Sequence, residues 1–335
     1  MKVQTHDRLE AIGPTAWDAL VAASRLRSPF LTWTWQREWV RAFATDARLE
    51  IRTVEDETGR LGAILSLVEV EPGVLGGVGG ADVSDYLDLI VRAGLEEEAW
   101  AALLEARAGE RVVWDLHAVP SASPTVAALP RLARMCGLGA TVETEERCPV
   151  LALPGSWEAY LGRLGGKHRH ELGRKLRRLE RERPEARATC LEDAAAVEAR
   201  LGDFLDLHRR SRVGKARFMD ARMEGFFRRA VAALAARGGA RLWFLDTAAG
   251  PIAAFITLEW NGTVGLYNSG FHPDHAALSP GVVLLSHLVR DAIARGRRRF
   301  DFLRGEERYK GQFEPVPEDV CRVRITPVDP PPLSP

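Results

Sequence analysis

Lysine is scarce in this sequence. Only five of the 46 basic residues are lysine, at positions 2, 167, 175, 215 and 310, and arginine supplies the rest. The acidic residues also number 46, so the formal net charge is zero and no overall field attracts nucleic acid or an anionic membrane. A polyanionic partner therefore needs a local cluster of charge, and each lysine stands out as a departure from the prevailing arginine.

Cysteines and long apolar runs are also few. The four cysteines are widely spaced without a CxxC pair, a pattern typical of buried free thiols and not of a disulfide framework or a zinc site. No window approaches the roughly 18 uninterrupted apolar residues of a membrane span, and the N-terminus has no apolar core of signal-peptide length. We therefore expect a cytoplasmic chain without a membrane span or a bound metal.

The common motifs of enzyme active sites are missing. The run "GGVGG" (76–80) opens no helix and lacks the residues of a P-loop or a dinucleotide site, so we expect a loop or a bulge. The absence of GxSxG and HExxH argues against serine hydrolases and zinc proteases. His272 and His275 flank Pro273 without a third ligand nearby, which is typical of exposed loop residues.

The C-terminal half has the clearer secondary-structure pattern. Asn261 and Gly262 both tolerate positive φ and predict a hairpin turn. A helix is predicted after the β-type run 263–270, with Ser279 as its N-cap and Pro280 at its first position. Residues 298–303 form a further predicted strand, so the expected order is meander, helix, strand. The three β-type runs of the meander are residues 241–246, 252–260 and 263–270.

The N-terminal half repeats part of this pattern. The stretch "GRLGAILSL" (59–67) aligns with "GPIAAFITL" (250–258), and strand, helix and strand patterns follow it. At 335 residues the chain is long enough for two domains with substantial cores. We interpret it as two related α/β units, 1–155 and 156–326, joined near a segment rich in proline and glycine. The proline-rich tail, 327–335, is predicted to be disordered.

The start of the helix after the meander is a candidate binding element. The first N–H groups of a helix lack intrahelical acceptors and carry the positive end of the helix dipole, so they can bind an anion. Gly281 presents no side chain where a phosphate would need to approach closely. One interpretation is an ordinary helix end, because every helix has one. The other is an anion site, in which Ser279, Gly281 and Val282 would bind the phosphate groups of a cofactor.

A basic helix over residues 167–183 is a second element. Leu172, Leu176 and Leu179 lie on one stripe, and arginine and lysine cover the remaining surface. Two interpretations are open. The helix is either a solvated one, with acidic residues paired at helical spacing, or a site for a phosphate-rich ligand, because arginine binds phosphate in a bidentate manner.

The third element follows the last predicted strand. In "RFDFLRGEERYKGQF" (299–313), Gly305 breaks the strand and charged residues cluster at its end. A solvated turn is one interpretation. The other is an acyl-transfer site, because a tyrosine can protonate a leaving thiolate or alkoxide and a lysine can stabilise an oxyanion.

These features together carry a family resemblance. The meander, the Ser-Pro-Gly helix, "RRFDFLRGEERYKGQF" and the preceding "KHRHELGRKLRRLER" resemble the acetyltransferase-like domain of the CelD cellulose-biosynthesis type. That family belongs to the GNAT (Gcn5-related N-acetyltransferase) superfamily and is similar to the Fem-type peptidoglycan aminoacyltransferases, which contain two GNAT units in tandem. The resemblance is strongest over 155–315, and "SPFLTWTWQREWVRAFA" (28–44) and "DVSDYLDLIV" (82–91) extend it. It implies an α/β, tandem GNAT-like fold of two mixed-sheet units flanked by helices.

The resemblance also implies roles for individual residues. The Fem-type lysine that stabilises the tetrahedral transition state falls on Lys310. In the mechanism that we expect with it, Tyr309 protonates the leaving group and either Asp301 or Asp85 accepts a proton. The usual pyrophosphate loop is Gln/Arg-x-x-Gly-x-Gly/Ala, and residues 278–281 keep only its last glycine. The family's basic helix and first-unit acidic loop, together with the turn after the last strand, nominate substrate-binding residues: Asp85, Tyr86, Asp88, Arg169, Arg174, Arg177 and Arg304.

Three hypotheses follow. The leading one is an acyltransferase that moves an acetyl or other acyl group directly from acyl-CoA to an amine or hydroxyl of a polar, envelope- or polysaccharide-related acceptor, such as a glycan precursor. The second keeps the fold and uses aminoacyl-tRNA as donor. The third is a non-catalytic GNAT scaffold that binds nucleic acid or phospholipid. Under the leading hypothesis, Lys310→Ala is expected to lower turnover far more than stability. The sequence predicts no oligomeric state.

Overall fold

The computed structural model describes residues 1–305 and 307–327. Their contacts define two compact units: unit 1 is residues 1–146 with the segment from 318 onward, and unit 2 is residues 147–317. The sequence pattern had placed everything up to residue 326 in the second unit. The last strand joins unit 1 because it pairs with a strand there. The predicted disordered tail lies outside the described residues, except for Pro327, which ends that strand.

Unit 1 is a mixed sheet with helices packed against it. Strands β1 to β4 pair antiparallel in chain order, β6 joins β4 in parallel, and β13 pairs antiparallel with β6. In chain order the elements are β1 (Lys2–His6), α1 (Pro14–Ala23), α2 (Trp33–Phe43), β2 (Leu49–Glu55), β3 (Leu61–Glu71), β4 (Val74–Gly77), β5 (Ile90–Val91), α3 (Glu96–Ala106), β6 (Val113–Pro120), α4 (Pro124–Met135) and β7 (Leu138–Ala152), with β13 (Val316–Pro327) last.

Unit 2 is built on a second mixed sheet. Strands β8 to β11 pair antiparallel in chain order, β12 is parallel to β11, and the end of β7 pairs antiparallel with β12. The apolar face of α10 packs into the core on this sheet. The elements are α5 (Trp157–Arg163), α6 (Gly166–Glu182), β8 (Arg187–Leu191), α7 (Ala194–Ser211), α8 (Val213–Phe218), α9 (Ala221–Ala235), β9 (Ala240–Thr247), β10 (Gly250–Trp260), β11 (Thr263–Phe271), α10 (Pro280–Ala294) and β12 (Arg299–Asp301).

The two units share one connectivity. In unit 1 the meander β2-β3-β4 is followed by α3 and by β6, which is parallel to β4. In unit 2 the meander β9-β10-β11 is followed by α10 and by β12, which is parallel to β11. The aligned segments of the internal repeat lie on β3 and β10, the central strands of the two meanders. The predicted pair of related α/β units is therefore confirmed.

The sequence predicted the backbone conformation correctly where that conformation depends on only one or two residues. Asn261 and Gly262 both have positive φ, 43° and 77°, as the predicted hairpin turn requires. The strand predicted over 298–303 is shorter, because Asp301 accepts a hydrogen bond from the N–H of Leu303, which has φ 55° and turns the chain. The run at 76–80 contributes its first two glycines to the end of β4 and continues as a turn.

Gly270 is required by the close approach of β11 to α7. A Cβ at this position would lie 2.5 Å from the backbone N of His208 and 2.7 Å from the carbonyl C of Leu207. Both are backbone atoms, so no side chain can move aside. We expect Gly270→Ala to lower the free energy of unfolding by about 1–3 kcal/mol, the usual cost of overpacking, measured by equilibrium chemical denaturation.

The matched control is Gly162→Ala. Gly162 lies in α5 and an added Cβ would meet nothing within 4 Å. This change should be neutral or slightly stabilising because alanine is the better helix former. Equal losses of stability for the two variants would contradict the close-approach explanation.

None of the helices within residues 1–305 and 307–327 combines the length and apolar character needed to cross a bilayer. All four cysteines are free thiols. Cys148 and Cys321 are buried as expected, whereas Cys136 and Cys190 are only partly buried.

Candidate functional site

Unit 2 contains a cavity of about 530 Å³. This volume is within the range of roughly 300–1,000 Å³ that is usual for small-molecule sites. Its wall combines the start of α10, the end of β11, the junction of α7 and α8, and the loop that follows β12. We refer to it below as the unit 2 cavity.

The start of α10 borders this cavity without a side-chain cap. Ser279 occupies the N-cap position, as predicted, but it has φ 51° and its side chain makes no capping hydrogen bond. Gly281 and Val282 line the cavity beside it. A Cβ on Gly281 would come no closer than 3.9 Å to the ring of Phe255, its nearest neighbour. The first-turn N–H groups are therefore available to an anion, in line with the cofactor-binding prediction.

Lys215 also lines the cavity, on the short helix α8. Its Nζ donates to the backbone O of Ser269 and, at 3.0 Å, to the Ser269 hydroxyl. Burial lowers the pKa of Lys215 to about 8, and the positive charges of Arg212 and Lys310 add to this effect against the opposing charge of Glu307. A cationic group with a reduced pKa thus faces the cavity.

Tyr309 and Glu307 form the wall next to Lys215. Burial, followed by the charge of Glu307, raises the pKa of the Tyr309 phenol above its ordinary value, against a hydrogen bond shared with Ser269. Burial alone would also raise the pKa of Glu307, but the charge and hydrogen bond of Lys310 hold it below its ordinary value. At neutral pH the cavity therefore contains a protonated phenol beside a carboxylate.

Lys310 lies behind this wall and is not among the residues that line the cavity. Its residue is only 4% exposed. Nζ donates to the carbonyl oxygens of Phe302, Arg304 and Gly305 at 2.9–3.1 Å and pairs with Glu307 at 2.8 Å. An ammonium has only three protons to donate, so these contacts use its full capacity. The contacts of Lys310 are those of a group that holds the loop after β12 in shape.

Asp301 is also buried behind the cavity. It is 0% exposed, accepts the N–H of Leu303 at 2.9 Å and lies 3.4 Å from Nη2 of Arg299. It therefore ends β12 and shapes the loop. Arg304, which was nominated for substrate binding, contributes its carbonyl oxygen to Lys310 and does not line the cavity.

The predicted basic helix forms as α6. Its residue that lines the cavity is Lys175, and none of the three arginines nominated from the sequence does so. Arg174 pairs with Glu171 at 2.6 Å on the helix surface, and Arg169 and Arg177 are exposed outside the cavity lining. Lys175 lines the cavity and donates to the side-chain oxygen of Gln312. Burial lowers the pKa of Lys175.

The nominated acidic loop belongs to unit 1. Asp85 and Tyr86 are buried, at 8% and 6% exposure. Asp88 accepts hydrogen bonds from the Leu89 N–H and from the hydroxyls of Ser123 and Thr125 at the start of α4. Burial raises the pKa of Asp88 to about 6 despite these bonds. All residues that line the unit 2 cavity come from unit 2, so this group is not part of it.

The two histidines of the segment before α10 lie close together. His272 precedes a 3₁₀ turn, Pro273–Leu278, and His275 lies within it. Their ring centroids are 5.5 Å apart, and both residues are half-buried where exposure had been expected. The expectation failed because their rings pack edge to face. Within residues 1–305 and 307–327, no cluster of three or more His, Cys, Asp or Glu is placed to hold a metal ion.

Lys215, Lys175 and Ser269 were missed as site residues by sequence reasoning. Two of them are among only five lysines, so the scarcity that drew attention to Lys310 applied equally to them. The sequence around Lys215 and Ser269 carries no motif, and α8 is only six residues long. Lys175 lies in the predicted basic helix, but the arginines of that helix were nominated instead. Only the packing of α8 against β11 brings Lys215 to the cavity.

A comparison with protein families identifies the segment that contains this cavity. The family model of the acetyltransferase (GNAT) domain matches residues 166–311. The chain therefore contains a GNAT-type acyltransferase domain, which includes the start of α10, Lys215 and Tyr309. No curated protein sequence matches this chain.

Solved structures extend the likeness over both units. FemX shares 11% sequence identity and a TM-score of 0.63, with 96% of this chain and 97% of FemX covered. A conserved protein of unknown function from Bacteroides thetaiotaomicron shares 13% identity and a TM-score of 0.62, over 97% of this chain and 100% of that one. L-PGS from Bacillus licheniformis shares 12% identity and a TM-score of 0.57, over 94% and 92%.

At these identities the likeness establishes the fold alone. It confirms the predicted GNAT-like α/β fold in two units, because the match to FemX covers both of them. The narrower assignment to the CelD type stays a prediction.

Proposed function

We propose that this protein transfers an acyl group from an acyl thioester, acetyl-CoA or another acyl-CoA, to an amine or hydroxyl acceptor in the unit 2 cavity. One observation supports the proposal. The uncapped start of α10 and the phenol of Tyr309 border one cavity within the matched GNAT domain. The helix start suits the phosphate groups of an acyl-CoA, and the phenol suits a leaving thiolate.

The proposed step is direct transfer. The acceptor nitrogen or oxygen attacks the thioester carbonyl and forms the new bond to carbon, after which the C–S bond breaks. Tyr309 gives its proton to the departing thiolate, and the proton that the acceptor loses restores the phenol. A polar, envelope- or polysaccharide-related acceptor, as the CelD resemblance implies, remains part of this proposal.

The donor site is tested by Gly281→Asp. A carboxylate in the first turn would interact favourably with the helix dipole, so the fold should be unchanged or slightly stabilised. It would repel the donor phosphates at the same point. We expect the Kd for acetyl-CoA, measured by isothermal titration calorimetry, to rise at least about tenfold, equivalent to roughly 1.4 kcal/mol.

Gly281→Ala is the matched control. Its added Cβ would meet only the Phe255 ring, at an ordinary contact distance of 3.9 Å, so acetyl-CoA affinity should stay close to that of the wild type. If the wild-type protein binds no acetyl-CoA, or Gly281→Asp binds it unchanged, the CoA-dependent reaction loses its support.

A second candidate uses aminoacyl-tRNA as the donor. The observation that favours it is the exposed basic surface of α6, on which Arg169 and Arg177 have no ion-pair partner among the described residues, together with the FemX-like fold. Binding of a polyanion weakens steeply as salt concentration rises, whereas a small cofactor depends on salt much less. Measurement of RNA affinity at several salt concentrations separates the two candidates.

A further inference from the structure

Positive charge surrounds the wall of the unit 2 cavity that holds Tyr309. Lys215, Arg212 and Arg308 all line this cavity. The one carboxylate in the lining is Glu307, and it is already paired with Lys310 at 2.8 Å. This wall therefore has three cations and no free anion to balance them.

The cations have unused hydrogen-bonding capacity. Lys215 gives two of its three protons to Ser269, which leaves one for a ligand. Arg212 and Arg308 are exposed, and neither has a hydrogen-bond or ion-pair partner within residues 1–305 and 307–327. Donors of this kind recognise carboxylate and phosphate oxygens.

The donor phosphates alone do not account for this charge. The start of α10 is a different element of the cavity wall, and it would bind an anion through backbone N–H groups and not through side-chain cations. Lys215, by contrast, donates a hydrogen bond to Ser269, and the Ser269 side chain also shares a hydrogen bond with Tyr309. Tyr309 is the residue proposed to protonate the leaving group. A ligand anion at Lys215 therefore belongs to a molecule that enters beside the reacting bond.

We propose that the acyl acceptor is an anionic amine, a molecule that carries a carboxylate or phosphate as well as its amino group, and that Lys215 and Arg212 bind the anion. This inference rests on the proposed acyl transfer and adds the substrate class. Lys215 and Arg212 are specificity-determining residues in this assignment, and Tyr309 keeps its role at the leaving group.

The pH dependence of binding gives an independent readout. Anion binding needs the ammonium form of Lys215, whose pKa is about 8 because of burial. The other charged or titratable groups around it are Glu307, Arg212, Lys310 and His208. Acceptor affinity should fall as the pH rises past about 8 in the wild type. In Lys215→Arg it should persist to higher pH, because a guanidinium remains protonated there.

The experiment compares two pairs of probes by calorimetry, with and without saturating CoA. The first pair is β-alanine and β-alaninamide, and the second is O-phosphoethanolamine and ethanolamine. Each pair differs in its anion alone, so the two pairs separate carboxylate from phosphate recognition. The variants are Lys215→Gln and Arg212→Gln. Arg217→Gln is the matched control, because it removes one charge from the exposed face of α8, outside the cavity.

We expect at least one anionic probe to bind about tenfold or more tighter than its neutral partner. Lys215→Gln and Arg212→Gln should reduce that preference at least about tenfold, while Arg217→Gln retains it. Arg212 is exposed, so its variant tests the inference even if Lys215→Gln fails to fold. Equal binding of charged and neutral probes, or variants that bind the anionic probe as the wild type does, would overturn the inference.

Titration of the same variants with acetyl-CoA separates this inference from the proposed function. Unchanged acetyl-CoA affinity in Lys215→Gln, with weaker probe binding, supports the acceptor assignment. Weaker acetyl-CoA binding with unchanged probe binding would assign these cations to the donor and overturn the inference, while acyl transfer would stand. Absence of acetyl-CoA binding in the wild type would count against the proposed donor only, because the probes are also titrated without CoA.

Discussion

Tyr309→Phe is expected to lower kcat by about 10²- to 10⁴-fold, the usual contribution of a positioned general acid. The substitution removes only the hydroxyl that we propose protonates the leaving thiolate, and the ring still fills its place in the cavity wall. In the proposed function the start of α10 binds the donor, so the KM for acetyl-CoA should change little. Steady-state release of the CoA thiol, followed with an anionic amine as acceptor, measures both constants.

Tyr160→Phe is the matched control. Tyr160 is also buried in unit 2, and its hydroxyl donates to the backbone O of Phe313 at 2.9 Å, outside the cavity lining. Its loss should cost about 0.5–1.5 kcal/mol of stability, as for an ordinary hydrogen bond, and leave kcat near the wild-type value. If Tyr309→Phe has the kcat of the wild type, the phenol is not the proton donor.

Lys310→Met is expected to lower the free energy of unfolding by about 3–5 kcal/mol, the usual cost when one partner of a buried ion pair is removed. The substitution would leave the Glu307 carboxylate and three carbonyl oxygens without their shared donor. Turnover should fall as well, because Glu307 and Tyr309 are on the same loop and line the cavity. Thermal and chemical denaturation alongside kinetics give the two quantities.

This expectation differs from the one based on sequence. The resemblance to Fem-type enzymes made Lys310 an oxyanion stabiliser, so its loss was expected to affect turnover far more than stability. That role stays a prediction, and the double variant Lys310→Met/Glu307→Gln decides between the two. If Lys310 acts by holding the loop, neutralising its unpaired partner should restore part of both stability and turnover. A double variant that regains stability yet stays inactive would establish a role in the reaction itself.

Some elements of this fold were predictable because their causes are local. The Asn261-Gly262 hairpin depends on two residues that tolerate positive φ, and both have it. The helix that begins at Pro280 depends on a turn, a proline at the first helical position and an apolar stripe. The internal repeat could be recognised in the sequence because the two central strands have similar burial patterns and therefore the same order of residue types.

Other features were not predictable, one of them because it depends on long-range packing. The strand Val316–Pro327 gives no sign in its own sequence that its partner is β6, some two hundred residues earlier. The strand predicted through Leu303 ends early for a local reason, because the Asp301 carboxylate accepts the N–H of Leu303, two residues further on. The alternation of residue types does not show that this carboxylate is buried, so the sequence pattern missed the end of the strand.

The sequence by itself determined the class of this protein: two related α/β units with a GNAT-type domain in the second. Only the tertiary structure showed how the surroundings of the individual lysines differ. All of them carry the same charge in the sequence, but burial separates their roles. The ammonium of Lys310 contacts three carbonyl oxygens and a carboxylate, which use all of its protons. The ammonium of Lys215 donates twice to Ser269 and has one proton left for a ligand in the cavity. Periodicity and composition contain no information about which hydrogen bonds a side chain has already made.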